Sequence, residues 1–208
     1  MKILVIGAGA GTGRQIVEMA LARGHEVTAF VRNPRQYARA NVRVVVGDAR
    51  DEKAISAAVA GQDAVFNTIG TQTPWARTGL EPVAGRAINK ALRAHGVRRL
   101  IVATTMGVGD SGKHAHFYFR YVFAPTFLRG AVKDKEQMER ELARTDIDWV
   151  VVRPAVLTND RPIGQVKVLT RQTGGKARSI SRADTAAFML DQLTSEKYLR
   201  QAVTIATN

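Results

Sequence analysis

Lys2-Ile3-Leu4-Val5-Ile6-Gly7-Ala8-Gly9-Ala10-Gly11-Thr12-Gly13 opens the chain and decides its fold. Ile3 to Ile6 is a continuous apolar run, the pattern of a strand covered on both faces of a parallel sheet. It falls short of the roughly 7–15 apolar residues of a secretory signal core, so Lys2–Ile6 reads as a first strand. A glycine-rich turn follows at once, and a helical pattern runs over Gly13–Arg23. A helix N-terminus presents unpaired N–H groups and partial positive charge. Glycines let the backbone turn sharply and let a pyrophosphate approach it closely. The pattern therefore predicts a dinucleotide cradle built by Gly7, Gly9, Ala10, Gly11, Thr12 and Gly13.

Working outward, apolar β-branched runs alternate with helical patterns. Further strands are expected at Glu26–Val31, Val42–Val46, Ala64–Thr68, Arg99–Thr104 and Asp148–Arg153. Between them, helices are expected at Asp51–Ala60, Glu81–His95 and Lys133–Arg144. Val44-Val45-Val46 is again continuously apolar and reads as a buried strand. Such alternation with right-handed crossovers gives an α/β fold, a doubly wound parallel sheet of the Rossmann type. Two stretches break the rhythm. Met106–Arg129 is glycine-rich and then aromatic, and Thr158–Ser181 holds a short strand, Gln165–Thr170, and the turn Gly174-Gly175. Both follow the carboxyl ends of late strands, where open α/β sheets bind ligands. Residues 106–130 and 158–181 are therefore read as substrate-side insertions in a single domain spanning 1–208. A helix, Arg182–Leu193, and a strand, Ala202–Ala206, close the chain.

Composition narrows the chemistry. The 208 residues include no cysteine, which excludes disulfides, a thiol nucleophile and zinc–cysteine or iron–sulfur sites, and suits a reducing cytoplasm. Lys plus Arg number 31 against 18 Asp plus Glu, a net charge of +13. Such a balance invites a nucleic-acid reading. The charges are scattered without a basic run, however, which favours attraction of anionic small molecules over nucleic acid. No apolar stretch approaches the roughly 20 residues of a membrane span.

The end of the second strand bears on the cofactor. An NAD-selective site commonly has a carboxylate there for the ribose 2′-hydroxyl. Here the stretch is Phe30-Val31-Arg32-Asn33-Pro34-Arg35, without a carboxylate. A guanidinium matches a phosphate with two parallel hydrogen bonds, so Arg32 and Arg35 favour NADPH (NADP) over NADH; otherwise they merely solvate a loop. Asp48, after the third strand, is a candidate for the adenine amino group or for a helix cap near Asp51. Gly70 and Thr71 end the fourth strand beside the middle of the cofactor. Thr104 and Thr105 end the fifth, where nicotinamide and substrate should meet, unless they only satisfy local backbone.

Taken together these residues resemble the atypical short-chain dehydrogenase/reductases of the biliverdin-IXβ reductase/flavin reductase kind. The likeness lies in Gly7–Gly13, Val31-Arg32, Val44–Asp48, Gly61–Val65, Gly70-Thr71, Ala94–Val97 and Ile180-Ser181-Arg182-x-Asp184. Gly9 and Ala10 depart from it, standing where that family has Thr and Gly. The stretch Lys135-x-x-x-Glu139-x-x-Leu142, then Asp148–Pro154, is similar to a wider group of NAD(P)H-binding oxidoreductases and NmrA-like sensors. The resemblance implies an NADPH-dependent reductase acting on a planar conjugated acceptor: a flavin, a biliverdin-type linear tetrapyrrole or a quinone. The alternative is a non-catalytic NmrA-like protein that senses NADP(H) and signals to a partner.

Ordinary short-chain dehydrogenases use Tyr-x-x-x-Lys, which sets both side chains on one helical face. Here Tyr37, Tyr118, Tyr121 and Tyr198 are followed four residues on by Asn41, Val122, Pro125 and Ala202. The usual carbonyl–alcohol mechanism is thus disfavoured. A conjugated acceptor delocalises the incoming charge and takes a proton from water, asking less of a protein acid. Thr105 matches the family serine after the fifth strand and is the candidate contact to substrate or nicotinamide. Lys135 is a candidate for the nicotinamide ribose or the acceptor, or else an exposed helix lysine. Backbone from Pro154 to Val156 is expected against the nicotinamide, and Arg153 in an internal ion pair if not in the site. Phe117–Phe123 reads as an acceptor wall, a buried helix face or an oligomer surface. His114-Ala115-His116 lacks carboxylate neighbours, so no metal is expected.

Overall fold

The computed structural model describes residues 1–34, 42–170 and 172–207. Its sheet has eight strands in the order β3-β2-β1-β4-β5-β6-β10-β8. These are β1 (Lys2–Ile6), β2 (Glu26–Val31), β3 (Val42–Val46), β4 (Ala64–Asn67), β5 (Arg99–Ala103), β6 (Asp148–Pro154), β8 (Lys167–Leu169) and β10 (Gln201–Ala206). All pairings are parallel except β10 with β8. The strand order reverses between β1 and β4, the place where a doubly wound sheet opens a crevice at its carboxyl edge.

β1 shows why the layers form. Side chains alternate across a strand, so Ile3 and Val5 enter one apolar core and Leu4 and Ile6 the other. Helices α1 (Gly11–Ala22) and α6 (Arg182–Asp191) cover the first face. Helices α2 (Glu52–Val59), α3 (Leu80–His95) and α5 (Arg129–Leu142) cover the second. All four of these β1 side chains are fully buried, worth about 1.5–3 kcal/mol each. β3 departs from the expectation. It is an edge strand, and Val46 is exposed rather than buried, because only one neighbouring strand screens it.

The insertions carry short elements. Residues Gly109–His114 form a 3-10 turn and Phe119–Phe123 a π-helical turn, followed by the short α4 (Ala124–Thr126). β7 (Val156–Thr158) and β9 (Ser179–Ser181), which the sequence pattern does not announce, pair as a separate two-stranded ribbon. α5 begins at Arg129, a turn earlier than Lys133. The expected strand at Gln165–Thr170 shortens to β8.

Candidate active site

The turn after β1 is built on two glycines. Gly7 has φ +87°, and a Cβ there would lie 2.9 Å from the Thr68 carbonyl carbon and oxygen. A Cβ on Gly13 would fall 2.3 Å from the Gly7 oxygen and 2.5 Å from Thr68 Oγ1. Close packing of α1 on the ends of β1 and β4 therefore depends on both. Thr68 completes the junction by donating its hydroxyl to the Ile6 carbonyl at 2.9 Å.

The start of α1 is left bare. Ala10 supplies no side-chain cap and the first turn contains no carboxylate. By contrast, Asp51 caps α2 through the Lys53 and Ala54 amides, and Ser181 caps α6. The first amides of a helix need an acceptor, and the turn that leads into them, Gly7, Gly9 and Ala10, lines a groove. That groove, of about 580 Å³, is lined by Gly7, Gly9, Ala10, Arg32, Asp48 and Gly70, among others. Its size suits a nucleotide. Thr12 is buried in the first turn of α1.

Arg32 stands on the wall at the end of β2, and Arg35 lies outside the described residues. Asp48 is on the same wall. Its carboxylate accepts from Arg50 Nε at 3.1 Å and Nη2 at 3.0 Å and from the Arg50 amide at 2.9 Å. These bonds, with the charges of Arg50 and Arg32, hold its carboxyl below the usual range. Capping of α2 falls to Asp51, not Asp48.

The β4–α3 loop forms the far rim through Ile69, Gly70, Gln72 and Leu80. Helix α5 holds it. Pro74 O accepts from the Gly130 and Ala131 amides at 3.0 and 2.9 Å. Asp134, almost fully buried, accepts from Arg77 Nε, the Thr78 amide and the Gly79 amide. Lys135 is buried rather than exposed, and its Nζ donates to Ile69 O at 3.2 Å. The same ammonium lies 3.5 Å from Glu81, whose two buried oxygens accept no hydrogen bond. Lys135 is thus not an exposed helix lysine but is bonded to the loop backbone beside Gly70. Thr71 turns its hydroxyl to the Thr73 amide and does not line the groove.

Beyond β5 the expectations need correction. Its place after β5 predicts Thr104 at the cofactor. Its hydroxyl instead donates to Glu139 at 2.8 Å within the interior. Glu139 also accepts from Arg153 Nε and Nη2, and Arg153 Nη1 donates to Asp110 at 2.6 Å. Arg153 is therefore the internal ion pair. Burial works against its charge, but the bonds to Glu139 and Asp110 outweigh it and raise its pKa. Burial likewise opposes the Asp110 charge, yet Arg153 carries that carboxyl below its ordinary value. Thr105 follows β5 at the sheet edge and is only partly covered. Pro154 gives its carbonyl to the Met106 amide at 2.9 Å, and the Val156 amide donates to Arg178 O at 3.2 Å. That backbone is consequently engaged by neighbours, while the Val156 side chain is exposed.

The insertions are tied together by His114, whose Nδ1 and Nε2 meet the carbonyls of Gly175 and Thr170 at 3.1 and 3.2 Å. Among the described residues no group of potential metal ligands occurs. No helix among them is long and apolar enough to cross a membrane. Of the Phe117–Phe123 stretch, Phe117, Tyr118, Tyr121 and Phe123 are exposed, so it is not a buried helix face.

Residues 7–196 match a protein family described as NAD(P)H-binding. The chain belongs to that NAD(P)H-binding family. Its bare α1 terminus and glycine cradle fit the cofactor that the family binds. The chain is 29% identical over 217 residues to the uncharacterized protein YwnB of Bacillus subtilis, covering 100% of this chain and 99% of that protein. Among solved structures it resembles the anaerobilin reductase ChuY of Escherichia coli O157:H7 (TM-score 0.79, 24% identity, 99% and 97% of the two chains). It also resembles a short-chain dehydrogenase/reductase of Veillonella parvula in complex with NADP (TM-score 0.82, 17% identity, 99% and 94% of the two chains). Both likenesses are of fold.

Proposed function

We propose that the protein is an NADPH-dependent reductase that delivers hydride to a planar conjugated acceptor, a flavin, a biliverdin-type linear tetrapyrrole or a quinone. The observation that carries this reading is a dinucleotide groove with Arg32 on its second-strand wall, together with the lack of any Tyr-x-x-x-Lys. A site without that acid suits acceptors that spread charge over a conjugated system. The bilin reductase of the same fold and the NADP complex lend support.

NADPH, when bound, supplies the hydride. The α1 amides and glycines hold its pyrophosphate, and Arg32 meets the 2′-phosphate. Asp48, kept ionised by Arg50, accepts from the adenine amino group. Gly70 leaves room beside the middle of the cofactor, its rim set by Lys135 through Ile69. Thr105, just past the end of β5, would contact the nicotinamide or the acceptor. Water supplies the proton that completes reduction.

The test is parallel initial rates with NADPH and NADH, using FMN, biliverdin and a quinone as acceptors. NADPH should be oxidised in preference to NADH. Arg32→Ala should lower kcat/KM for NADPH by about tenfold and leave NADH unchanged. NADPH binding without turnover on all three acceptors would replace this reading with the NADP(H)-sensing one.

A further inference from the structure

An aromatic ladder crosses the carboxyl edge of the sheet next to the groove. Trp75 and Phe127 lie 5.7 Å apart between ring centres, Phe127 and Phe123 5.3 Å, and Phe123 and Phe119 5.7 Å. The inner rung, Phe119, sits over Gly107, where a Cβ would come within 3.7 Å of its ring. Gly107 is two residues past Thr105. The outer rung, Trp75, belongs to the loop whose Gly70 and Gln72 line the groove. The ladder therefore joins the loops that follow β4 and β5, neighbours in the sheet.

Its three outer rungs are open to solvent yet held. Trp75 is 48% exposed, Phe127 45% and Phe123 37%. Around Trp75, Pro74 O accepts two amide bonds from α5 and Trp75 O accepts from Arg129 Nε at 3.3 Å. Gly130 allows this approach, since a Cβ there would fall 2.2 Å from the Ala76 carbonyl. Several contacts thus fix the backbone that carries this half-exposed indole. Charge is arranged in the same segment. Residues 117–133 carry Arg120, Arg129 and Lys133 and no carboxylate, and Arg120 lies 5.2 Å from the Tyr121 ring centre. Aromatic faces beside cations fit a flat conjugated anion.

We propose that this ladder is the platform on which the acceptor lies, and that it selects a planar anion. The proposal rests on the reductase reading for its place in catalysis, but its binding test does not. FMN is titrated calorimetrically into the protein saturated with NADP. Trp75→Ala and Phe127→Ala should each weaken FMN binding by about tenfold. Both should leave NADP affinity unchanged, and Trp75→Phe should retain most of the FMN affinity. Arg120→Ala with Lys133→Ala should weaken FMN more than riboflavin, which lacks the phosphate. These side chains are exposed, so the variants keep the core intact.

FMN affinity unaltered in both alanine variants would overturn the platform. So would a wild-type dimer in sedimentation that those variants dissociate while FMN binding stays the same. Turnover of FMN with unchanged acceptor KM in the variants would sink the platform and leave the reductase reading standing. Tight FMN binding that is lost in the variants, with no NADPH oxidation by FMN, biliverdin or a quinone, would uphold the platform and sink the reductase reading.

Discussion

The two halves of the groove edge are built by different means. The half at β1 and β2 comes from one short stretch of chain. Backbone turns, two close-packed glycines and an uncapped helix make it. The half beyond β4 and β5 is assembled by charges far apart in sequence: Arg153 with Glu139 and Asp110, Lys135 with Glu81, and Asp134 with the Arg77–Gly79 backbone. Local backbone geometry can hold an invariant pyrophosphate. The far half is carried instead by side chains from distant elements, and most of those side chains are buried ions.

The contrast is most sharply tested at Glu139. Glu139→Ala leaves Arg153 buried with Asp110 alone and strands the Thr104 hydroxyl. Removing one partner of a buried pair costs about 3–5 kcal/mol. Urea unfolding should show a loss of that size, while NADP affinity of the folded protein stays close to wild type. The joint change Glu139→Leu with Arg153→Met should recover much of the stability, since apolar replacement of a buried pair is often neutral or better. If Glu139→Ala costs no more than an exposed substitution, the second half is not held by its ions.

A smaller effect on stability but a larger one on the cofactor is expected at Gly13→Ala. The added Cβ must displace the Gly7 carbonyl or Thr68, at about 1–3 kcal/mol for overpacking. NADP binding should fall steeply with it. Unchanged binding would show that the cradle does not depend on this contact.

The smallest effect concerns acid. Asp184 accepts from the Ile163 and Gly164 amides at 3.0 and 2.9 Å and from Ser181 Oγ at 2.8 Å. Burial opposes its charge, but these bonds prevail and lower its pKa. Its contribution is therefore complete above the ordinary carboxylate range, near pH 4, and is lost as pH falls through the lowered folded value. Asp184→Asn should flatten the acid limb of a stability–pH curve and leave the neutral region shifted by about 1 kcal/mol. An unchanged acid limb would remove Asp184 as its source.

The cradle was legible because its signal is local. A glycine that must turn, a following helix and an apolar strand stand side by side in sequence, and the expected boundaries of β1, β2 and β3 agree with those observed. The second half was not legible. Lys135 and Glu139 lie on a helix rich in charges, and helical spacing does not say which of them the sheet will cover. Thr104 pointed toward the site by its position at the end of β5. Its side chain turns inward because Glu139, from another helix, offers it an acceptor. β7 and β9 leave no sequence signal because each is a three-residue segment, formed by pairing with the other and by packing on the core.

By itself the sequence determined the doubly wound sheet and the dinucleotide cradle, and it excluded cysteine chemistry and the Tyr-x-x-x-Lys acid. Periodicity and backbone freedom are properties of neighbouring residues, so they can be read along the chain. Only the tertiary structure decided which charges are buried together, that Lys135 serves the β4–α3 loop, and that Trp75 meets Phe127 across the loops that follow β4 and β5. Those outcomes depend on distances between residues far apart in the chain, which exist only once the sheet has brought its edges together.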